Sequence, residues 1–309
     1  MKIVILDRST LGLDVNVSIL DKFGDVVSYD MTEENQTLHR VKDADIVITN
    51  KVVIDANIMN NSSLKLICIS ATGMNNVDLP YAKEKNIEVK NVAGYSSSSV
   101  AQVAFSMIFH FVTKLNYYKK YVDEGNWQKK PIFTHIDEPF FELDGKRVGV
   151  IGLGDIGKNF AKKATAFNCE IVYYSTSGRN SNNEYTRVEL DDLLSTCDII
   201  SIHCPLNDDT KDLLNYENMK NIKDGAILLN LGRGGIINED DLSKIIDEKE
   251  IYCGIDVVSK EPIEESNPLL KVKNKDRLVL TPHIGWASIE ARKRLISMIA
   301  TNIKEFLEK

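Results

Sequence analysis

Cysteine is scarce in this 309-residue chain and is never paired in sequence. Cys68, Cys169, Cys197, Cys204 and Cys253 form no CxxC and no ligand-like spacing with histidine. A disulfide framework and a zinc site are therefore not expected, and the thiols read as small buried hydrophobes in a reducing cytoplasm. Basic residues are outnumbered, 38 Lys and Arg against 45 Asp and Glu, for a net charge of −7. Such a surface has no general grip on nucleic-acid phosphates or anionic lipid, so neither is expected as a partner. Long apolar runs are also missing. The longest uncharged stretch, residues 91–112, contains Asn, Gly, Gln, His and five serines, a poor membrane span. Residues 1–14 lack the long apolar core and cleavage site of a signal peptide.

The chain does contain a repeated alternation of short β-branched runs and amphipathic stretches. Residues 2–6, 45–49, 64–70 and 87–89 read as strands, with helical patterns over 32–41 and 79–85. This alternation predicts a parallel sheet covered by helices. The polar run Gly94-Tyr95-Ser96-Ser97-Ser98-Ser99 then predicts a loop whose last serine caps a long helix within 100–121, or a hinge between two units. A second series of strands follows at 147–151, 170–174, 199–203, 226–230, 251–255 and 277–280, closed by a helix over 288–307. The length suits two domains. The expected fold is α/β, with two doubly wound parallel-sheet domains. The second, residues 97–287, is a Rossmann domain inserted into the first, residues 1–96 with 288–309.

Val148 to Gly157 reads VGVIGLGDIG and contains GxGxxG, which is weak evidence alone. Here it leaves a strand and opens a helix, the context the motif requires. Gly152 would allow the tight turn, Gly154 a close approach of pyrophosphate, and Gly157 close packing of helix on strand. The N–H groups of Asp155 and Ile156 would face phosphate at the positive helix end. A tight turn with no ligand is the plain alternative. An NAD enzyme usually has Asp or Glu after the next strand, about 20 residues on, to bind the ribose 2′-hydroxyl. This chain has Ser175-Thr176-Ser177-Gly178-Arg179 instead. Small hydroxyls and the cationic Arg179 favour NADP over NAD, since a 2′-phosphate is anionic and rich in acceptors. An incidental solvated turn remains open.

Further segments follow later strands: His203-Cys204-Pro205-Leu206 with Thr210, Leu231-Gly232-Arg233-Gly234-Gly235, Asp256 to Pro262, and Thr281-Pro282-His283-Ile284-Gly285-Trp286-Ala287. In this order, behind a mid-chain glycine turn, they resemble the D-isomer-specific 2-hydroxyacid dehydrogenase family over nearly the whole chain. Ala71-Thr72-Gly73-Met74-Asn75-Asn76-Val77-Asp78 resembles the substrate loop of that family. Trp286 with Thr49-Asn50-Lys51 is similar to its glycerate dehydrogenase/hydroxypyruvate reductase branch. Asn75 and Gln102 depart from the residues most common there.

The resemblance implies a hydride transfer between NAD(P)H and a small 2-keto or D-2-hydroxy acid, in a cytoplasmic homodimer whose contacts involve residues 114–143. His283 would be the general acid, Glu261 its carboxylate partner, and Arg233 the grip on the substrate carboxylate. These roles suit a titratable imidazole, an anion beside it and a forked permanent cation. Asp256 would accept from the nicotinamide carboxamide. His203, Cys204, Pro205, Thr210, Leu231, Gly232 and Gly285 would complete the cofactor contacts. Lys51, Ala71, Thr72, Gly73 and Trp286 would line the substrate end. Each residue alone has a duller reading, as a cap, a turn or a surface ion pair. Two other readings of the same fold stay open: a non-catalytic dinucleotide-sensing regulator, and a phosphoglycerate dehydrogenase-like enzyme, which would often carry a further C-terminal domain.

Overall fold

A computed structural model describes residues 1–179 and 181–309. The chain divides into two compact units, Met1–Ser96 with Ala287–Lys309, and Ser97–Trp286.

The first unit holds a five-stranded sheet of β1 (Lys2–Ile5), β2 (Asp25–Ser28), β3 (Ile46–Thr49), β4 (Leu66–Ile69) and β5 (Glu88–Lys90). All pairings are parallel, in the order β2-β1-β3-β4-β5. Strands β3 and β4 are buried along their whole length, which explains their continuous apolar runs. The C-terminal helix Ile289–Leu307 belongs to this unit and buries Leu295, Ile296, Ile299 and Ile303. Its polar residues tie it down. The Arg292 guanidinium holds Asp14 at 2.8 Å and keeps that carboxyl below its ordinary value. Arg294 Nε donates to the Tyr95 carbonyl at 2.9 Å, and Asn302 Nδ2 to that of Asn91 at 3.0 Å.

The second unit holds a seven-stranded parallel sheet. Its strands are β6 (Arg147–Ile151), β7 (Glu170–Tyr174), β8 (Thr186–Arg187), β9 (Ile199–Ile202), β10 (Ile227–Asn230), β11 (Tyr252–Ile255) and β12 (Leu278–Leu280). The order is β12-β11-β10-β9-β6-β7-β8, so the chain reverses direction across the sheet between β6 and β9. One face is covered by the helices Ser97–Thr113 and Asp155–Thr165, with Phe105 and Phe160 rings 5.2 Å apart. The opposite face packs Leu193, Leu242, Ile245 and Ile246 onto Ile200, Leu228 and Cys253.

Two details differ from the sequence expectation. The helix expected after Ser99 already begins at Ser97, so Ser99 is inside it and buried. The apolar stretch through 121 is two helices, because Lys114 takes a left-handed φ of 50° before Leu115–Asp123. Among the described residues, no helix is long and apolar enough to cross a membrane.

Candidate active site

The carboxyl ends of β6, β9, β10, β11 and β12 lie side by side, and each carries one of the motifs. The first is the glycine turn. Gly152 has φ +91°, and a Cβ there would meet Cys204 backbone N at 2.7 Å. A Cβ on Gly157 would strike the Gly152 carbonyl oxygen at 2.2 Å, so that glycine sets how closely the helix sits on its strand. Gly154 is different. A Cβ there would meet no protein atom within 4 Å, so nothing in the chain itself requires glycine. It caps the N-terminus of the helix Asp155–Thr165, where first-turn N–H groups have no helical acceptor. Open space over a positive helix end fits the pyrophosphate of a dinucleotide.

Beyond this turn, Ser175 is buried and its carbonyl accepts from Gly178 N at 3.1 Å. Thr176 is half-buried and Arg179 exposed. Arg187 on the edge strand donates to the Gly178 carbonyl at 2.9 Å and braces the same turn.

Strand β9 brings His203 and Cys204 beside the glycines, with His203 N donating to the Ile151 carbonyl at 2.8 Å. The His203 ring turns to the scaffold. Its Nε2 lies 2.9 Å from Ser201 Oγ, its ring centroid 5.2 Å from that of Phe160, and burial pushes its pKa down to about 3. It is therefore neutral at cellular pH. Thr210 is fully buried, and its hydroxyl donates to the Pro205 carbonyl at 2.7 Å while accepting from Asn207 N at 2.8 Å. Both side chains brace the loop and strand that carry Cys204 and Pro205.

After β10, Asn230 does what the sequence reading did not assign. Buried at the strand end, its amide donates to the Arg233 carbonyl at 2.9 Å and accepts from Gly232 N at 3.1 Å. The turn carrying Arg233 is thus clamped, and Arg233 Nη1 also donates to the Gly232 carbonyl at 2.9 Å. Gly234 presses this turn onto the next one, since a Cβ there would lie 2.0 Å from Val258 backbone atoms. A buried polar residue ending an apolar strand was the available signal.

Asp256, at the end of β11, is buried and gathers three donors. Thr281 Oγ1 and Ile284 N donate to Oδ1 at 2.6 and 2.8 Å, and Gly285 N donates to Oδ2 at 2.8 Å. A carboxylate has roughly four acceptor positions, so most of its capacity holds the 281–285 turn. That turn sets His283 in a left-handed backbone, φ +53°, with its N–H donating to the Asp256 carbonyl at 2.9 Å. The His283 ring then meets Glu261, Nδ1 to Oε2 at 2.7 Å. Glu261 is itself held, its Oε1 accepting from Val258 N at 3.3 Å. Nδ1 faces an acceptor, so it carries a proton, and Nε2 is left to exchange one with a ligand. Trp286, half-buried, follows directly.

In the first unit, Lys51 and Thr72 are exposed and Ala71 and Gly73 half-buried. Their two loops are tied together, with Asn76 Nδ2 donating to the Val52 carbonyl at 3.0 Å and Ile54 N to the Asn76 carbonyl at 2.8 Å. Thr72 is fixed through its own carbonyl, which accepts from Asn91 Nδ2 at 2.6 Å.

Known proteins share this sequence pattern and fold. The family model described as D-isomer specific 2-hydroxyacid dehydrogenase, NAD binding domain, matches residues 105–285. A hydroxypyruvate reductase of Blautia hydrogenotrophica is 39% identical, over 100% of this chain and 97% of its own. A glycerate dehydrogenase of Methylorubrum extorquens is 31% identical over 99% of this chain and 96% of its own. An acyclic imino acid reductase solved with NADPH and D-arginine superposes with a TM-score of 0.86 at 27% identity, covering 100% of this chain and 97% of its own. The chain therefore belongs to the D-isomer specific 2-hydroxyacid dehydrogenase family, in its glycerate dehydrogenase and hydroxypyruvate reductase branch, and is an NAD(P)-dependent oxidoreductase acting on CH–OH donors.

Proposed function

We propose that the enzyme reduces hydroxypyruvate or glyoxylate, or oxidises D-glycerate, in the cytoplasm, with the Ser97–Trp286 unit holding the nucleotide and the other unit supplying substrate contacts. The His283–Glu261 pair at 2.7 Å, on a turn anchored by buried Asp256, is the observation that carries this reading. When bound, the reduced nicotinamide supplies hydride to the carbonyl carbon. The chain must then give a proton to the carbonyl oxygen. Glu261 accepts the Nδ1 proton in a hydrogen bond and fixes the ring, which leaves Nε2 to deliver the proton. Arg233, its turn clamped by Asn230, pairs with the substrate carboxylate and polarises the carbonyl. The backbone N–H groups at Thr72 and Gly73 take the other side of that carboxylate, and Lys51 and Trp286 shape the substrate end. The fourth acceptor position of Asp256 serves the nicotinamide carboxamide. Initial rates of NADH and NADPH oxidation with hydroxypyruvate, glyoxylate and pyruvate test the reading. We expect turnover with at least one of the first two; a folded, nucleotide-binding protein with none would be a sensor, and the proposal would fall.

The cofactor preference we propose is NADP, supported by Ser175 at the end of β7 and the cationic Arg179 beyond it. Ser175→Asp places a carboxylate at this turn, which repels a 2′-phosphate and suits a 2′-hydroxyl. The NADPH/NADH ratio of kcat/KM should fall by roughly tenfold or more, an effect of about 1.4 kcal/mol. A ratio that does not move would exclude this turn from phosphate recognition.

The proposed assembly is a homodimer. Support comes from residues 127–141, where Phe133 is 89% exposed and Ile136 72%, with Trp127 and Phe140 also exposed. Tyr121 stacks on His135 at 3.7 Å, and Trp127 Nε1 donates to the Phe133 carbonyl at 3.0 Å, so the segment is ordered while its apolar groups face outward. Ordered, exposed aromatics are the composition of an interface core. Light scattering should give a dimer mass for the native chain and a monomer mass for Phe133→Glu/Ile136→Glu. A native monomer at micromolar concentration would exclude the assembly.

A further inference from the structure

The first sheet also has a point where its chain direction across the sheet reverses, between β1 and β3. Crevices at the carboxyl ends of strands flanking such a point are where open α/β sheets take ligands. A buried carboxylate stands in this one. Asp7, just past β1, is 6% exposed. It accepts from the main chain just past β3: Asn50 N at 3.0 Å (Oδ1) and 2.9 Å (Oδ2), Lys51 N at 2.7 Å, and Val52 N at 3.4 Å. Thr49 Oγ1 lies 3.3 Å from Oδ2 and 3.2 Å from the Val52 carbonyl. Three consecutive N–H groups directed at one anion define a single compact turn, because a buried carboxylate is tolerated only with its donors in place. Lys51 is the exposed middle residue of that turn. From the side, Asn76 fixes the Val52 carbonyl at 3.0 Å, so the turn is locked to the loop carrying Thr72 and Gly73.

We propose that Asp7 is a positioning residue for the substrate: it folds residues 50–52 around its own buried carboxylate and so holds Lys51 in register with the Thr72–Gly73 loop. The inference rests on the proposed role of Lys51 in substrate binding. Asp7 touches no substrate itself. Its charge is spent on main-chain donors, so it shapes the site without repelling an incoming acid. Asparagine cannot replace it, since one end of the amide would oppose N–H to N–H.

The test is a double-mutant cycle on the full-length enzyme, with hydroxypyruvate varied at saturating NADPH and NADPH varied at saturating hydroxypyruvate. Asp7→Asn should raise KM for hydroxypyruvate by roughly tenfold, with KM for NADPH unchanged within about twofold. Lys51→Ala should raise the same KM. Adding Asp7→Asn to Lys51→Ala should then cost no more than about a further twofold, since the first change acts through the second. Multiplying effects, a parallel rise in KM for NADPH, or a Lys51→Ala variant with native KM would each overturn the inference while leaving the 2-keto acid reductase reading intact. A native enzyme with no turnover on hydroxypyruvate or glyoxylate would overturn both. If Asp7→Asn does not fold, Thr49→Val removes one donor and keeps the shape. A KM rise of about twofold that vanishes in the Lys51→Ala background supports the inference, and an unchanged KM sinks it.

Discussion

Replacing His283 with alanine is expected to lower turnover by roughly 10²–10⁴ while the nucleotide still binds. The ring is the proposed proton donor and, among the described residues, makes one side-chain hydrogen bond, to Glu261 at 2.7 Å, so its loss removes a reactive group without opening the core. The left-handed φ of 53° at this residue costs of order 1–3 kcal/mol and comes from the turn, not from the ring. The melting temperature should accordingly move little. Glu261→Gln keeps the hydrogen-bonding shape and removes the anion. It should lower kcat, because a ring bonded to a neutral amide is held less firmly than one bonded to a carboxylate. Quenched fluorescence of NADPH on titration, together with single-turnover rates, separates binding from chemistry. Turnover at the native rate in His283→Ala would remove this residue from the mechanism.

Asp256→Ala should be more damaging to the protein as a whole. Three donors at 2.6 to 2.8 Å lose their acceptor at a buried position. Each unsatisfied buried donor costs about 1–3 kcal/mol, and water can relieve part of this, so a loss of about 3 kcal/mol is expected. Freed from its anchor, the 281–285 turn no longer holds His283 against Glu261, and an ångström of misplacement costs roughly 10² in rate. Urea midpoints and kcat measured on the same preparations check both parts. A variant that loses activity with native stability would make Asp256 a contact to the nucleotide more than a support for the turn.

Buried strands leave a plainer trace in the sequence than edge strands or the supports of the site. Strands β6 and β7 run over the residues that their apolar patterns indicate, because beyond its first residue a central parallel strand is covered on both faces and stays largely apolar. Strands β2 and β8 leave no such trace. Both are edge strands, short and largely exposed, so burial places little demand on their composition. The break at Lys114 is equally hidden, since the helix Leu115–Asp123 keeps Leu, Tyr and Val although none of its residues is buried.

At the site, the motif names His283, Glu261 and Arg233, the side chains proposed to react with and hold the substrate. The supports are less legible. Asn230 acts within three residues of Arg233 and could be noticed as a polar end to an apolar strand. Asp7 could not, because its donors lie 42 to 45 positions away and meet it only when β1 and β3 pair. The support Asp256 gives to the 281–285 turn is hidden in the same way, because its three donors come from 25 to 29 residues downstream.

The return of the last helix to the opening unit has a consequence for biosynthesis. A ribosome delivers residues 97–286 before the segment that buries Leu295, Ile299 and Ile303 exists outside the exit tunnel. The second unit can therefore begin to fold on the nascent chain around its earlier strands, while the half translated first waits for its closing segment. Until release, that early-made sheet is the part a chaperone would need to shield.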